Sequence, residues 1–331
     1  MALNRTVVTF RGFPFAPIRL IRGCVCIREN NRDHVDRPLQ LRENAMMTST
    51  QFAFGLVALL STVAVQAGEP AAPAPSSRPK RVLLIGQGPD GHPWNAHEYM
   101  AGQRILAACL KPVKNVQVMI VNANEPWSKG PELLDGADAA VVFVSQGGRW
   151  LQQDKRRLAA FRRLAKRGGG LVALHWGMGA RDAKYIPAFR DLFGGIHGGP
   201  DRKYKVLTTT TEVVSPKHPI VRGVKPVKVR EEFYYQLKLT KAGGKLTPLI
   251  RAPIDGEKHT VAFAWERPDG GRSFGFSGLH FHANWKHDAY RRLVTQAVLW
   301  TAGLDVPKAG LPLKYDPKDL SQPRPKPAGK K

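Results

Sequence analysis

Apolar and polar positions alternate in blocks along the middle of this chain. Arg81–Gly86 (RVLLIG) is a continuous apolar run closed by glycine, as in a strand buried on both faces. Met100, Ile105, Leu106 and Leu110 recur at helical spacing and predict a helix over His97–Leu110. Two further runs, Val116–Val121 and Ala139–Val144, read as strands, the second leading into Ser145-Gln-Gly-Gly148. Leu151–Lys166 is a basic amphipathic helix, Gly170–His175 (GLVALH) a fourth strand, and Asp182–Phe193 the next helix. The order β-α-β-β-α-β-α predicts an α/β fold, a parallel sheet with helices on both faces. Strands are added in the C-terminal half, at Tyr204–Val214, Val227–Arg230, Leu246–Arg251, Thr260–Trp265 and Ser273–Ser277. A last helix, Asp288–Thr301, packs Leu293, Val294, Val298 and Trp300.

The pattern stops at both ends. Phe52–Val65 is an apolar run of 14 residues, short for a membrane span, and Val65-Gln66-Ala67 follows as a small-residue cleavage pattern. Residues 46–67 therefore read as a signal peptide cut after Ala67, and the protein as periplasmic or secreted, with no transmembrane segment in its mature form. Met46 and Met47 stand just ahead, so residues 1–45 read as a start-site artefact or a long n-region. Residues 68–79, with the Pro/Ala/Ser run Ala71–Ser77, read as a linker. Residues 305–331 read as a disordered basic Pro/Lys-rich tail.

Charge narrows the partners. The net charge is +25, and the tail after Val306 holds seven basic against two acidic residues. Such a balance suits acidic partners, and anionic polysaccharide is the candidate for the basic surface and tail. Nucleic acid is not expected, because the aromatics are not interleaved with the Lys/Arg runs as a stacking groove requires. Cys24 and Cys26 precede the cleavage point, which leaves Cys109 alone on an apolar helix face. It reads as a buried thiol, and the mature chain has neither a disulfide framework nor a thiolate metal site.

The candidate chemistry lies in histidines. Eight of the ten fall between His92 and His282. His280 and His282 end a Gly-rich aromatic strand segment, Gly270–Trp285, and residues i and i+2 of a strand share a face. His175 ends a strand that runs into Trp176-Gly-Met-Gly179, the build of a sharp elbow that exposes its residue at the sheet's carboxyl edge. Ligands bind at that edge in open α/β sheets. His92 and His97 flank the loop after the first strand, and His197 lies between glycine pairs. His218 precedes Pro219 and reads as structural. Of Glu231 and Glu232, strand alternation turns one inward.

Six pieces in order resemble the trehalose-utilisation (ThuA-like) family. They are Gly91–Glu98 (GHPWNAHE), Gly168–His175, Gly194–Gly199 (GGIHGG), His218-Pro-Ile220, Glu231–Tyr235 (EEFYY) and Gly270–Trp285. The resemblance spans residues 80–304. It implies a flavodoxin-like sheet similar to class I glutamine amidotransferases, without their chemistry, since His175 stands where their cysteine would. It also implies a link to catabolism of disaccharides and their keto forms, and an acid at Glu232.

The expected site is thus His175, Glu232, His280 and His282 as catalytic groups, with His92, His97, His197, Trp94, Trp176, Tyr235 and Trp285 against the substrate. Two mechanisms fit. A divalent metal such as zinc takes His and carboxylate ligands, with His92, His280 and His282 as candidates. Alternatively, a neutral His moves the acidic proton beside a keto-sugar carbonyl without metal. Either makes a carbohydrate-active enzyme of hydrolase, lyase or isomerase type. A non-catalytic carbohydrate-binding protein of the periplasm or cell surface is the alternative.

Overall fold

The computed structural model describes residues 78–313 and 316–321. The expected start-site segment, signal peptide and Pro/Ala/Ser run lie outside the described residues. The N-terminal half follows the expected alternation: β1 (Lys80–Gly86), α1 (Tyr99–Leu110), β2 (Val116–Asn122), α2 (Gly130–Asp135), β3 (Ala139–Phe143), α3 (Gly147–Gln153), α4 (Lys155–Lys166) and β4 (Gly170–Leu174). The C-terminal half adds β5 (Gly179–Ala180), α5 (Ile186–Phe193), β6 (Gly195–Gly198), β7 (Lys203–Thr210), β8 (Glu212–Val213), β9 (Lys228–Tyr235), β10 (Lys238–Leu239), β11 (Lys245–Ile254), β12 (Glu257–Glu266), β13 (Arg272–Phe276) and α6 (Asp288–Thr301).

Eight strands form one sheet in the order β2-β1-β3-β4-β13-β12-β11-β8. The first five run parallel and the remaining pairings are antiparallel. In β1, Val82 and Leu84 pack in one core layer with α1 and α6, while Leu83 and Ile85 pack in the other with α4 and α5. That two-sided burial explains why the strand reads as apolar throughout. Each such side chain contributes roughly 1.5–3 kcal/mol on burial. β5, β6 and β10 form a small second sheet, and β7 pairs with β9 alone.

Several boundaries differ from expectation, each for a local reason. The helix expected over Leu151–Lys166 is two helices, because Asp154 is extended and its side chain accepts from the Arg156 and Arg157 amides to cap α4. The short α2 was not expected, since six residues are too few to show a period. The single strand expected over Tyr204–Val214 is divided at Thr211 into β7 and β8. The strand expected to stop at Arg230 continues through Tyr235, which places both glutamates inside β9. The strand carrying His280 and His282 ends at Phe276. Part of the tail expected to be disordered is packed: Val306 and Leu311 are buried, and the Leu311 amide donates to Gln296 Oε1 at 2.8 Å. Among the described residues no helix is long and apolar enough to cross a membrane.

Candidate functional site

Parallel β1, β4 and β13 end on the same edge of the sheet, and a histidine follows each. His175 follows β4 directly, at φ 44°, in a tight 3-10 turn. The turn presses against its neighbours: a Cβ on Gly177 would stand 2.4 Å from the Val142 carbonyl oxygen, and one on Gly147 would stand 1.9 Å from that of Gly177. Glycine at both positions lets the elbow close on β3 and α3. His97 ends the loop after β1 and His280 lies in the loop after β13. The two loops zip together, with the His97 amide donating to the His280 carbonyl at 3.0 Å and the His282 amide to that of Asn95 at 2.9 Å.

Glu231 and Glu232 divide their work by strand alternation. Glu231 turns inward with Val229 and Phe233, fully buried. It accepts from the Leu279 amide at 2.8 Å, the His280 amide at 3.1 Å and Asn284 Nδ2 at 3.0 Å, and so fixes the loop that carries His280. Burial pushes its carboxyl up to about 7, while these donors pull it down. Glu232 sits on the opposite face of β9, the side that Tyr234 shares.

Four donor atoms converge there. His97 Nε2 lies 3.0 Å from His175 Nε2, which lies 3.1 Å from His280 Nδ1. Glu232 Oε1 stands 3.5 Å from His280 Nδ1 and 3.9 Å from His175 Nε2. All four atoms lie within 4.8 Å of one another. The outer nitrogens set the tautomers. His175 Nδ1 is 2.7 Å from the Ser277 carbonyl and donates to it, which leaves a lone pair on Nε2. His97 Nδ1 is 3.1 Å from Asp90 Oδ2 and donates to it, which leaves a second lone pair on its own Nε2.

Asp90 is ionised in this arrangement. Burial pushes its carboxyl up, but hydrogen bonds from His97 and Tyr99 outweigh burial and hold it well below the usual range. Tyr99 donates to the same oxygen at 2.6 Å. Burial, reinforced by neighbouring imidazoles, keeps His175 well below its ordinary value, and His280 falls to about 3 for the same reasons. Burial also lowers His97 and raises Glu232. The histidines are therefore neutral near pH 7, and the Nε2 lone pairs of His97 and His175 face each other.

Two lone pairs 3.0 Å apart repel unless a proton or a cation lies between them. Tyr234 donates to His175 Nε2 at 2.9 Å, which relieves one, and a bound cation would take the place of that hydrogen bond. A proton on His97 Nε2 would relieve the other at the cost of a charge that burial disfavours. Donors about 2.0–2.1 Å from one tetrahedral ion stand about 3.4 Å from each other. Four of the six spacings, 3.0 to 3.9 Å, bracket that value, and all six are within 4.8 Å. Asp90 and the Ser277 carbonyl take the place of the outer partners that orient metal-binding histidines. His97, His175, His280 and Glu232 could therefore hold a divalent cation.

A cavity of about 110 Å³ opens beside these groups, lined by His92, Trp176, Arg181, His197, Arg202 and Tyr204 among others. A larger apolar groove beside β1, β2 and α2 contains no cluster of histidines. His92 is partly exposed at the mouth, its ring 3.6 Å from that of His97 and its Nδ1 2.7 Å from Asp90 Oδ1. His197 stacks on Tyr234 at 3.8 Å and is held at about 3 by burial and then by Arg202 and Lys238.

The remaining expected residues are distributed as follows. Trp176 lines the cavity, and Trp94 is 40% exposed in the His92 loop. Tyr235 packs against His259 instead, because its neighbour Tyr234 holds the cavity face of β9. Trp285 is a core residue, 1% exposed. His282 does not join His280: Leu279 at φ 78° has already left the strand, and His282 opens a 3-10 turn, so the two rings share no face. Sequence reasoning missed Asp90, Tyr99 and Tyr234. Only Asp90, a carboxylate two residues before His92, left a trace to follow.

Comparison with known proteins agrees with the architecture. The profile of the trehalose utilisation (ThuA) family matches residues 87–301. A putative ThuA-like protein from Bacteroides uniformis is similar in structure, with a TM-score of 0.52 and 16% identity, over 72% of this chain and 97% of that one. A cytoplasmic protein from Salmonella typhimurium matches at a TM-score of 0.46 and 16% identity, over 67% of this chain and 98% of its own. The CTPS glutaminase domain of Trypanosoma brucei matches at a TM-score of 0.38 and 11% identity, over 70% and 98%. No curated protein sequence matches significantly. The elbow carries His175 and no cysteine, and the one described cysteine, Cys109, is buried in α1. With the family profile covering most of the folded region, the chain belongs to the trehalose-utilisation (ThuA) family.

Proposed function

We propose that the protein is an exported enzyme acting on a small carbohydrate, a disaccharide or its keto derivative. A divalent cation such as zinc is held by His97, His175, His280 and Glu232. The observation that carries this reading is the convergence of one donor atom each from His97, His175, His280 and Glu232 within 4.8 Å of one another, with the Nδ1 atoms of His97 and His175 tied outward to Asp90 and the Ser277 carbonyl. Family membership supports the carbohydrate, and the apolar run Phe52–Val65 supports export.

The cation would act as a Lewis acid on a sugar carbonyl or hydroxyl oxygen. His92, at the mouth and hydrogen-bonded to Asp90 through Nδ1, presents Nε2 to the substrate and moves the proton beside the reacting carbon. Trp176 and the exposed ring of Tyr204 offer apolar faces to a sugar ring, and neutral His197 can donate or accept a hydroxyl hydrogen bond. The test is turnover of oxidised disaccharides before and after chelation, with metal content measured alongside. Loss on chelation and recovery with zinc is expected. Undiminished turnover by metal-free protein would favour His/Glu acid–base chemistry, and absence of both turnover and sugar binding would contradict the carbohydrate reading.

A further inference from the structure

Arg181 and Arg202 are left over once the histidines and Glu232 are assigned. Both line the cavity beside the convergent donors, and neither forms an ion pair among the described residues. Arg202 is half-buried, and its Nη1 donates to the Gly199 carbonyl at 3.1 Å. That bond fixes the guanidinium plane and leaves further N–H groups for another acceptor. Its charge reaches His197 and Tyr234, both on the cavity wall. Arg181 is exposed at the rim, and its main chain is tied to Gln146 Oε1 at 3.4 Å. The nearby Lys238 differs, being paired with Asp201 at 2.6 Å. Among the described residues Glu232 is the one carboxylate lining the cavity, and the proposed cation occupies it.

We infer that this pocket selects a sugar bearing an anionic group, a carboxylate or a phosphate, which Arg202 and Arg181 grip while the reacting carbon faces the histidines. The inference rests on the carbohydrate reading above and adds the substrate's charge. The guanidinium of Arg202 has no carboxylate within ion-pair distance among the described residues, and its planar fork matches two oxygens of one acid group. A neutral disaccharide would leave both forks hydrated and unused. Held by the two guanidinium groups, the acid group serves for recognition and not as a metal ligand.

The experiment is calorimetric titration of the protein, zinc-loaded and zinc-free, with glucuronate, glucose 6-phosphate, glucose and inorganic phosphate, repeated with Arg202→Gln and Arg181→Gln. The acidic sugars are expected to bind about 10-fold or more tighter than glucose, a preference that each substitution removes in large part and that weakens with salt. Arg181→Gln, being at an exposed site, should retain the melting temperature of the parent, so that a loss there is not a folding defect. Whichever acidic sugar is favoured identifies the group. Glucose binding as tightly as either acid, or acid binding that needs zinc and ignores both arginines, overturns the inference and leaves the carbohydrate reading standing. Arginine-dependent binding of inorganic phosphate without any sugar supports the anion site and removes the carbohydrate reading. Binding of none of the four overturns the inference.

Discussion

Asp90 shows how one carboxylate sets the chemistry of three aromatic side chains. It accepts from His97, Tyr99 and His92, and so decides which nitrogen of His97 keeps its lone pair. Asp90→Asn keeps the shape but loses the charge that holds the His97 Nδ1 proton. The expected result is 10- to 100-fold weaker metal binding, the usual effect of removing an outer partner, measured by competition with a chromophoric chelator. Unchanged affinity would mean that His97 is oriented by its backbone alone. His175 was legible from sequence, because a strand that runs straight into Trp-Gly-Met-Gly can do little but turn there. Asp90 was not. Its contacts depend on a loop in which Asn95 and His97 take positive φ, and no periodicity encodes that path.

At the scale of elements, β9 and the loop after β13 form one device. Glu231 is buried under the loop and is satisfied by N–H donors, while Glu232 on the same strand faces the site. Glu231→Gln would point an amide nitrogen at donors, leaving at least one buried group unpaired at a cost of about 1–3 kcal/mol. A lower melting temperature together with weaker metal binding is expected, since His280 rides on the same loop. A variant that melts like the parent would show that the loop is held by its bridge to the His97 loop instead. Strand alternation in EEFYY was readable and turns the two glutamates to opposite faces. Which glutamate and which tyrosine faced the pocket depended on β9 running through Tyr235, a boundary that β-pairing with β7 decides. The same kind of error misplaced His282, where Gly278 and Leu279 end the strand before its alternation could align the two rings.

Across the whole molecule, the parallel half of the fold was legible because its strands are buried on both faces and read as unbroken apolar runs. The antiparallel extension and the packed stretch through Leu313 were harder, since their contacts are made with distant residues. Stability should depend on pH through buried histidines. His197 and His218 are held by burial at about 3 and about 4, below the roughly 6.5 of an unfolded chain. The unfolded state binds more protons in that window, so their contribution is full above pH 6.5 and is lost as pH falls toward 4. Glu231, raised to about 7, acts in the opposite sense down to about 4.5. The melting temperature should therefore fall most steeply below about pH 4.5, and a flat profile from 7 to 4 would contradict burial of these neutral rings. The central claim is the cation, and anomalous diffraction from zinc-soaked crystals tests it most directly. One peak is expected within bonding distance of His97 Nε2, His175 Nε2, His280 Nδ1 and Glu232, absent in His175→Ala. A parent crystal with no peak at these four atoms, or with zinc bound only elsewhere, would contradict the account.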